Sequence, residues 1–193
     1  MRFALMYFWE FVQNLPLVAG MMLALQWWQE SQLILAVTAM IVGSVLGAAL
    51  IRLTETYILY GGRPGERIEA DAEKRPGQRE PLAVTLANVV MMFIFMLMLT
   101  LYLTAGWSSW LTDFLVGGLI GFILSAVQSK AAKEPVDLRH SLAFTAAFPV
   151  AILIIRFLST AVPVLVSIIL ITTIITLIIT LIDYGHLSTK GQA

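Results

Sequence analysis

Leu33–Leu53 reads LILAVTAMIVGSVLGAALIRL and is almost entirely apolar. At a rise of about 1.5 Å per residue, a stretch of about 20 apolar residues is long enough to cross the hydrocarbon core of a bilayer as a helix. Gly43 and Gly47 lie four residues apart and therefore share one helix face. In lipid, helices approach closely where small residues line the contact. The stretch predicts a transmembrane helix with a packing seam along this face.

The composition of the whole chain places it in the membrane. Of its 193 residues, 59% are hydrophobic and only 12% are charged, and the mean hydropathy is +0.87. Soluble domains carry about twice this share of charged residues. The chain has no cysteine, so disulfides and thiolate metal sites are excluded. We predict an all-α integral membrane protein whose first partner is the lipid bilayer.

The other apolar stretches give the number of spans. Six of them are present, separated by short turns or by polar segments. The longest polar segment, residues 61–81, has nearly balanced charges and predicts a solvated loop. The chain therefore predicts a single transmembrane domain, with spans at about residues 3–28, 32–56, 82–104, 107–128, 141–158 and 162–184.

The distribution of Lys and Arg predicts the orientation. The turns at 29–31, 105–106 and 159–161 contain neither residue, whereas the loops at 61–81 and 129–140 hold most of them. Cytoplasmic loops carry the excess of Lys and Arg, so both termini are expected in the cytoplasm. The chain is similar in size and span number to small bacterial permeases, but no sequence motif supports this similarity. We expect a prokaryotic plasma (inner) membrane.

An internal repeat is a further prediction. The segment Val42–Gly47, VGSVLG, is matched by Val116–Gly121, VGGLIG, which supplies a second glycine pair. Threonines of the last span offer a weaker third copy. The units would be three helical hairpins at about 8–54, 82–128 and 137–183, related by an axis along the membrane normal. The alternative is chance, because apolar spans share few residue types. The predicted packing seam comprises Gly43, Gly47, Gly117, Gly121, Thr172 and Thr176.

Polar residues inside the first span form the candidate site. Glu10, Gln13 and Asn14 share one helix face, and Pro16 removes a backbone donor just beyond them. A charged residue at the bilayer centre costs about 2.5–3.5 kcal/mol on insertion scales, so such residues are often functional. With Asn88, which the repeat aligns with Asn14, they predict a substrate or ion pathway. The alternative is structural: Glu10 would reach the interface, and Asn14 would bond to a neighbouring helix.

Asp113 and Arg156 form a second polar pair. Both lie near the outer ends of their spans, the fourth and the fifth, at similar depth. Opposite charges at one depth predict an interhelical ion pair, and a transport gate is the alternative interpretation.

Threonines of the last span, Thr172, Thr176 and Thr180, are expected to bond their own i−4 carbonyls while facing another helix.

The motifs of enzymes and of nucleotide sites are missing from the sequence. It contains no phosphate-binding glycine loop, zinc pattern or Ser-His-Asp set. We therefore expect no enzyme activity, no cofactor, no metal and no nucleic-acid partner.

Two functions are favoured, and lipid-handling or sensing roles are further alternatives. The first is a permease or channel for a small solute or ion, with its polar site in the first span. The second is an accessory or assembly subunit, packed through its glycine and threonine seams against a larger membrane complex. Whether the chain also forms a homo-oligomer stays open.

Overall fold

The protein is built from helices. A computed structural model describes residues 2–53, 82–106, 109–131 and 138–189, and every regular element in these ranges is an α-helix. The predicted all-α class is confirmed. The predicted loop at 61–81 lies outside the described residues, as do the last three residues predicted for the second span. The helices are α1 Arg2–Gln29, α2 Leu33–Leu53, α3 Leu82–Thr104, α4 Trp110–Ala131, α5 Leu138–Ala161 and α6 Val164–Thr189.

Four of the six described helices have the length and apolarity of membrane spans. Four stretches are long and apolar enough to cross a bilayer: Phe3–Gln29, Leu33–Leu53, Ser141–Ala161 and Val164–Ile182. Two further apolar helical stretches, Asn88–Thr104 and Trp110–Ile123, are shorter. Apolar side chains also cover much of the outer surface, and Ile34 is the extreme case at 84% exposed. An all-helical protein with such a surface is suited to a lipid environment.

A tight turn joins α1 and α2. The amide of Gln32 donates to the carbonyl of Trp27 over 2.7 Å, and Ser31 has a φ of 61°. This left-handed residue reverses the chain within three residues after α1. The two helices consequently pack against each other as an antiparallel pair.

The other helices extend this pair into an arc. Close backbone packing runs from α3 to α2, from α2 to α1, from α1 to α6, from α6 to α5 and from α5 to α4. The central helix α1 also contacts α3. The ends of the arc, α3 and α4, are consecutive in sequence yet make hardly any close backbone contact. The bundle is thus open between α3 and the α4–α5 pair at the level of the backbone.

Methionine fills much of the core. Met22, Met40 and Met96, from α1, α2 and α3, are among the largest side chains that are fully buried. Small residues such as Ala24 and Ala36 lie between them, each at 0% exposure. Unbranched, flexible methionine adapts to the irregular gaps that such small neighbours leave.

The predicted three-hairpin repeat is not confirmed. Gly43 and Gly47 of α2 face the preceding helix α1, whereas Gly117 and Gly121 of α4 face the following helix α5. The second predicted hairpin pairs α3 with α4, which are barely in contact through their backbones. The matching glycine pairs therefore serve non-equivalent neighbours.

Candidate functional site

The first glycine seam brings the backbones of α1 and α2 together. A Cβ atom added to Gly43 would lie 2.9 Å from the carbonyl oxygen of Pro16 and 3.0 Å from the Cα of Gly20. At Gly47 it would lie 2.6 Å from a methyl of Leu17. The sequence analysis did not predict that Gly20 belongs to this seam. Its position one turn after Pro16 could have indicated it. The seam fixes the face that α1 presents to the rest of the bundle.

The second glycine seam holds α4 against α5. A Cβ at Gly117 would lie 2.6 Å from both the Cα and the nitrogen of Pro149. Gly121 lies against the carbonyl of Phe144, one turn earlier on α5. Pro149 is buried within the helix. Proline lacks the backbone N–H that a helix interior uses, and here it lies where α4 packs directly on α5.

Polar side chains of α1 bond to the threonines of α6. The Asn14 amide donates to Thr176 Oγ1 over 3.3 Å, and the Thr180 hydroxyl donates to Glu10 Oε2 over 2.9 Å. Both threonines are fully buried. We call these four residues the inner ladder. It joins α1 to α6 through one amide and one carboxylate.

The hydrogen bonds of the threonines correct one prediction. Thr172 donates to its own i−4 carbonyl, that of Ile168, over 2.7 Å, as expected. Thr180 instead donates to Glu10 on another helix. A carboxylate is a stronger acceptor than a backbone carbonyl already engaged in a helix. The expectation of i−4 bonds throughout was therefore wrong at this position.

An apolar cavity lies above the inner ladder. It measures about 160 Å³ and is bordered by α1, α3, α4, α5 and α6. In the described part of the chain, its lining consists of aliphatic, methionine and phenylalanine side chains, with Asn14 as the one polar residue. Engineered apolar cavities of about 150 Å³ stay dry and take up benzene or xenon. A cavity of this size and lining favours an apolar occupant over water.

Of the four residues predicted for a substrate pathway, Asn14 alone lines this cavity. Glu10 lies one turn further toward the N-terminus, in the inner ladder. Gln13 and Asn88 are half-buried and do not line this cavity. The structure thus gathers Glu10 and Asn14 on the α6 side of α1, whereas Asn88 stands on α3 away from the cavity.

A charged cluster lies at the opposite end of the bundle. Arg156 Nη2 is 2.8 Å from Asp113 Oδ1, and the Tyr102 hydroxyl donates to the same oxygen over 2.7 Å. The guanidinium also lies 5.9 Å from the centre of the Tyr102 ring. We call Tyr102, Asp113 and Arg156 the outer cluster. It ties α3 to α4 and α5, the helices whose backbones stay apart from α3.

Tyr102 is the member of the outer cluster that sequence reasoning did not assign. Tyrosine is enriched at membrane interfaces, so its place near the end of α3 by itself predicts an interfacial side chain. The depth of Tyr102 in its span is similar to that of Asp113 in the next span, and this similarity could have indicated that the two side chains meet.

An open hollow lies beside the outer cluster. It has a volume of about 570 Å³ and is bordered by the ends of α1, α3 and α5 and by the turn after α3. Among the described residues, Arg156 is the one charged residue that lines it. The side chain of Arg156 is 27% exposed, whereas that of Asp113 is only 3% exposed. The hollow therefore presents a guanidinium, while the neutralising carboxylate stays buried.

Within the described ranges, no three His, Asp or Glu side chains converge as metal ligands would. Comparison with known proteins adds no assignment: no family model matches the chain, and neither a curated protein nor a solved structure matches it.

Proposed function

We propose that the chain is a six-span permease for an amphipathic molecule, whose apolar part occupies the cavity between α3 and the α4–α5 pair. The observation that carries the proposal is the apolar cavity of about 160 Å³ inside the bundle. Both termini lie in the cytoplasm in this proposal, which the one-sided distribution of Lys and Arg supports.

The lining of the cavity narrows the class of substrate. A bare ion binds poorly there. The free energy of moving a charge into an apolar site is far larger than the stabilisation that the single Asn14 amide can provide. A wholly apolar solute dissolves in the bilayer core and needs no protein to cross it. An amphipathic molecule has a polar end that resists crossing and an apolar end that fits the cavity. It is the class for which such a pathway matters.

The polar groups lie where an amphipathic substrate needs them. The inner ladder lies beside the cavity, which Asn14 both lines and joins to Thr176. The outer cluster lies beyond the opposite end of the cavity, with Arg156 facing the hollow. A polar head therefore finds hydrogen-bonding groups on either side of a dry middle.

The arrangement of the glycine seams supports a permease over an accessory subunit. That alternative used the seams as the contact with a larger complex. Gly43 is covered by α1 and Gly117 by α5, and Thr176 is covered at its bond with Asn14. A partner could reach these residues only by displacing helices of the same chain.

The test is transbilayer movement of fluorescent single-chain lipids in proteoliposomes, followed by dithionite quenching. One probe has an anionic head and the other a zwitterionic head. Ala147 lines the cavity, while the adjacent Ala146 is exposed on the outer surface of α5. We expect the protein to accelerate movement of at least one probe, Ala147→Phe to slow it at least tenfold, and Ala146→Phe to leave it unchanged.

Both variants are first checked for a monodisperse elution profile and an unchanged melting temperature. A milder substitution, Ala147→Leu, replaces Ala147→Phe if the larger side chain prevents folding. The proposal fails if the folded protein moves neither probe faster than protein-free vesicles, or if the two phenylalanine variants behave alike.

A further inference from the structure

We infer that the substrate of this permease is a single-chain amphiphile with an anionic head. The head binds Arg156 in the outer hollow, and the chain enters the apolar cavity from the lipid, between α3 and the α4–α5 pair. The inference rests on the proposed function and adds the charge of the head, the number of chains and the direction of access.

The hollow and the cavity are neighbours along two helices. On α3, Leu99 lines the cavity while Leu101 lines the hollow. On α5, Ile155 lines the cavity while Arg156 lines the hollow. Both spaces thus lie between α1, α3 and α5, with the hollow next to the upper end of the cavity, and in this inference the ligand displaces the side chains that separate them.

The length of the cavity suits an alkyl chain. Its lining on α5 extends from Ile155 down to Phe144, and Phe144 lies about 18 Å below Arg156 at helical rise. That distance corresponds to a long chain running into the core of the membrane with its head at the outer end. The volume, about 160 Å³, is close to that of cavities that take up benzene, so the cavity holds a segment of one chain and has no room for a second chain.

The charge of the hollow selects the head group. Arg156 uses Nη2 for Asp113, and its Nε is buried and has no hydrogen-bond partner among the described residues. A guanidinium offers five donors in a planar fork that matches a carboxylate or a phosphate. A quaternary ammonium head would meet this cation instead, with the compensating Asp113 buried at 2% exposure.

Side chains rather than backbones close the proposed lateral opening. Phe95 of α3 and Phe148 of α5 both line the cavity, and their rings meet edge to face with centroids 6.5 Å apart. Since α3 makes hardly any close backbone contact with α4 or α5, the opening lies between α3 and the α4–α5 pair, and rotation of such side chains is enough to admit a chain. The helices themselves need not separate.

The experiment measures competition in nanodiscs made of zwitterionic phospholipid. A dodecanoic acid carrying a dansyl group at its chain end reports binding by fluorescence. Dodecanoate and dodecyltrimethylammonium, which share a chain length, compete with it. We expect dodecanoate to compete at least tenfold more strongly. Acetate, which has the head without the chain, is expected not to compete.

Two variants locate the binding. Arg156→Gln combined with Asp113→Asn removes both charges together, so no buried carboxylate is left unpaired. We expect this double variant to lose the tenfold preference while still binding the reporter. We expect Ala147→Phe to lose the reporter altogether, and Ala146→Phe to behave as the unmodified protein.

The outcomes separate this inference from the proposed function. Equal competition by the two dodecyl compounds overturns the anionic head but leaves the apolar cavity as the binding site. A preference that survives in the double variant overturns the role of Arg156. Competition by acetate shows that a free anion is bound and overturns the amphiphile. If the reporter binds equally to Ala147→Phe, or not at all to the unmodified protein, the proposed function fails as well.

Discussion

The α1–α2 pair and the α4–α5 pair use the same contact in different ways. Each packs a proline-containing helix against a helix with two glycines four residues apart. In the first pair the glycine helix binds its predecessor, and in the second it binds its successor. Spaced glycines therefore mark a close contact without specifying its partner. The helix that packs against the glycines is the one whose surface is complementary to theirs.

This difference creates the cavity. Because the glycine face of α4 is used for α5, nothing comparable remains to hold α4 against α3. The gap is bridged at its outer end by Tyr102, Asp113 and Arg156. The α1–α2 pair has no such gap, since α3 and α6 pack directly on it. The cavity thus lies between α1, α3 and α6 on one side and the α4–α5 pair on the other.

The largest effect is expected where the outer cluster joins the two sides of the cavity. Arg156→Gln leaves Asp113 buried without its cation, and breaking a buried ion pair typically costs about 3–5 kcal/mol. We expect the lower part of this range, because the Arg156 side chain is 27% exposed. The measurement is unfolding by a denaturing detergent, monitored by circular dichroism. Adding Asp113→Asn should restore much of the lost stability. Equal stability of the single variant and the original protein would show that the pair does not hold the two sides together.

A smaller effect is expected from the glycine seams, and it differs between the pairs. In Gly117→Ala the new methyl meets backbone atoms of Pro149 at 2.6 Å, whereas in Gly43→Ala it meets backbone atoms at 2.9 and 3.0 Å. Overpacking of this kind costs about 1–3 kcal/mol, and we expect Gly117→Ala to lie at the upper end. Melting temperatures of the purified variants provide the comparison.

The matched control for the glycine seams is Gly118→Ala. A methyl at Gly118 meets Thr145 only at ordinary distances, 3.6 and 3.7 Å. Alanine is favoured over glycine in a helix by about 0.5–1 kcal/mol, so this variant is expected to be as stable as the original protein or more stable. If Gly117→Ala and Gly118→Ala have the same melting temperature, α4 does not pack on α5 as described.

Some of this architecture follows from the sequence because it depends on local properties. Apolarity is summed over about 20 consecutive residues, so the all-α membrane class is readable without tertiary contacts. Depth can also be counted in helical turns. Such a count places Asp113 and Arg156 at one level, and their charged atoms are 2.8 Å apart in the structure.

The arrangement of the helices does not follow from the sequence in this way. In lipid the hydrophobic effect gives helices little preference among partners, so the choice of α5 over α3 by Gly117 depends on how two surfaces fit. The cavity is a consequence of that choice, and its lining has no pattern of its own along the chain. The bond from Thr180 to Glu10 was missed for a related reason, since it needs α6 to lie beside α1.

The most direct test of this account asks whether α4 lies against α5 or against α3. The chain has no cysteine, so cross-linking of two introduced cysteines is not disturbed by other thiols of the protein. One variant combines Gly118→Cys with Thr145→Cys across the α4–α5 contact, and the other combines Met92→Cys with Ile120→Cys across the cavity. A disulfide requires Cα atoms within about 7 Å. We predict rapid oxidative cross-linking of the first pair, and linkage of the second only by a longer bifunctional maleimide. Direct disulfide formation by the second pair at a higher yield than by the first would contradict the account.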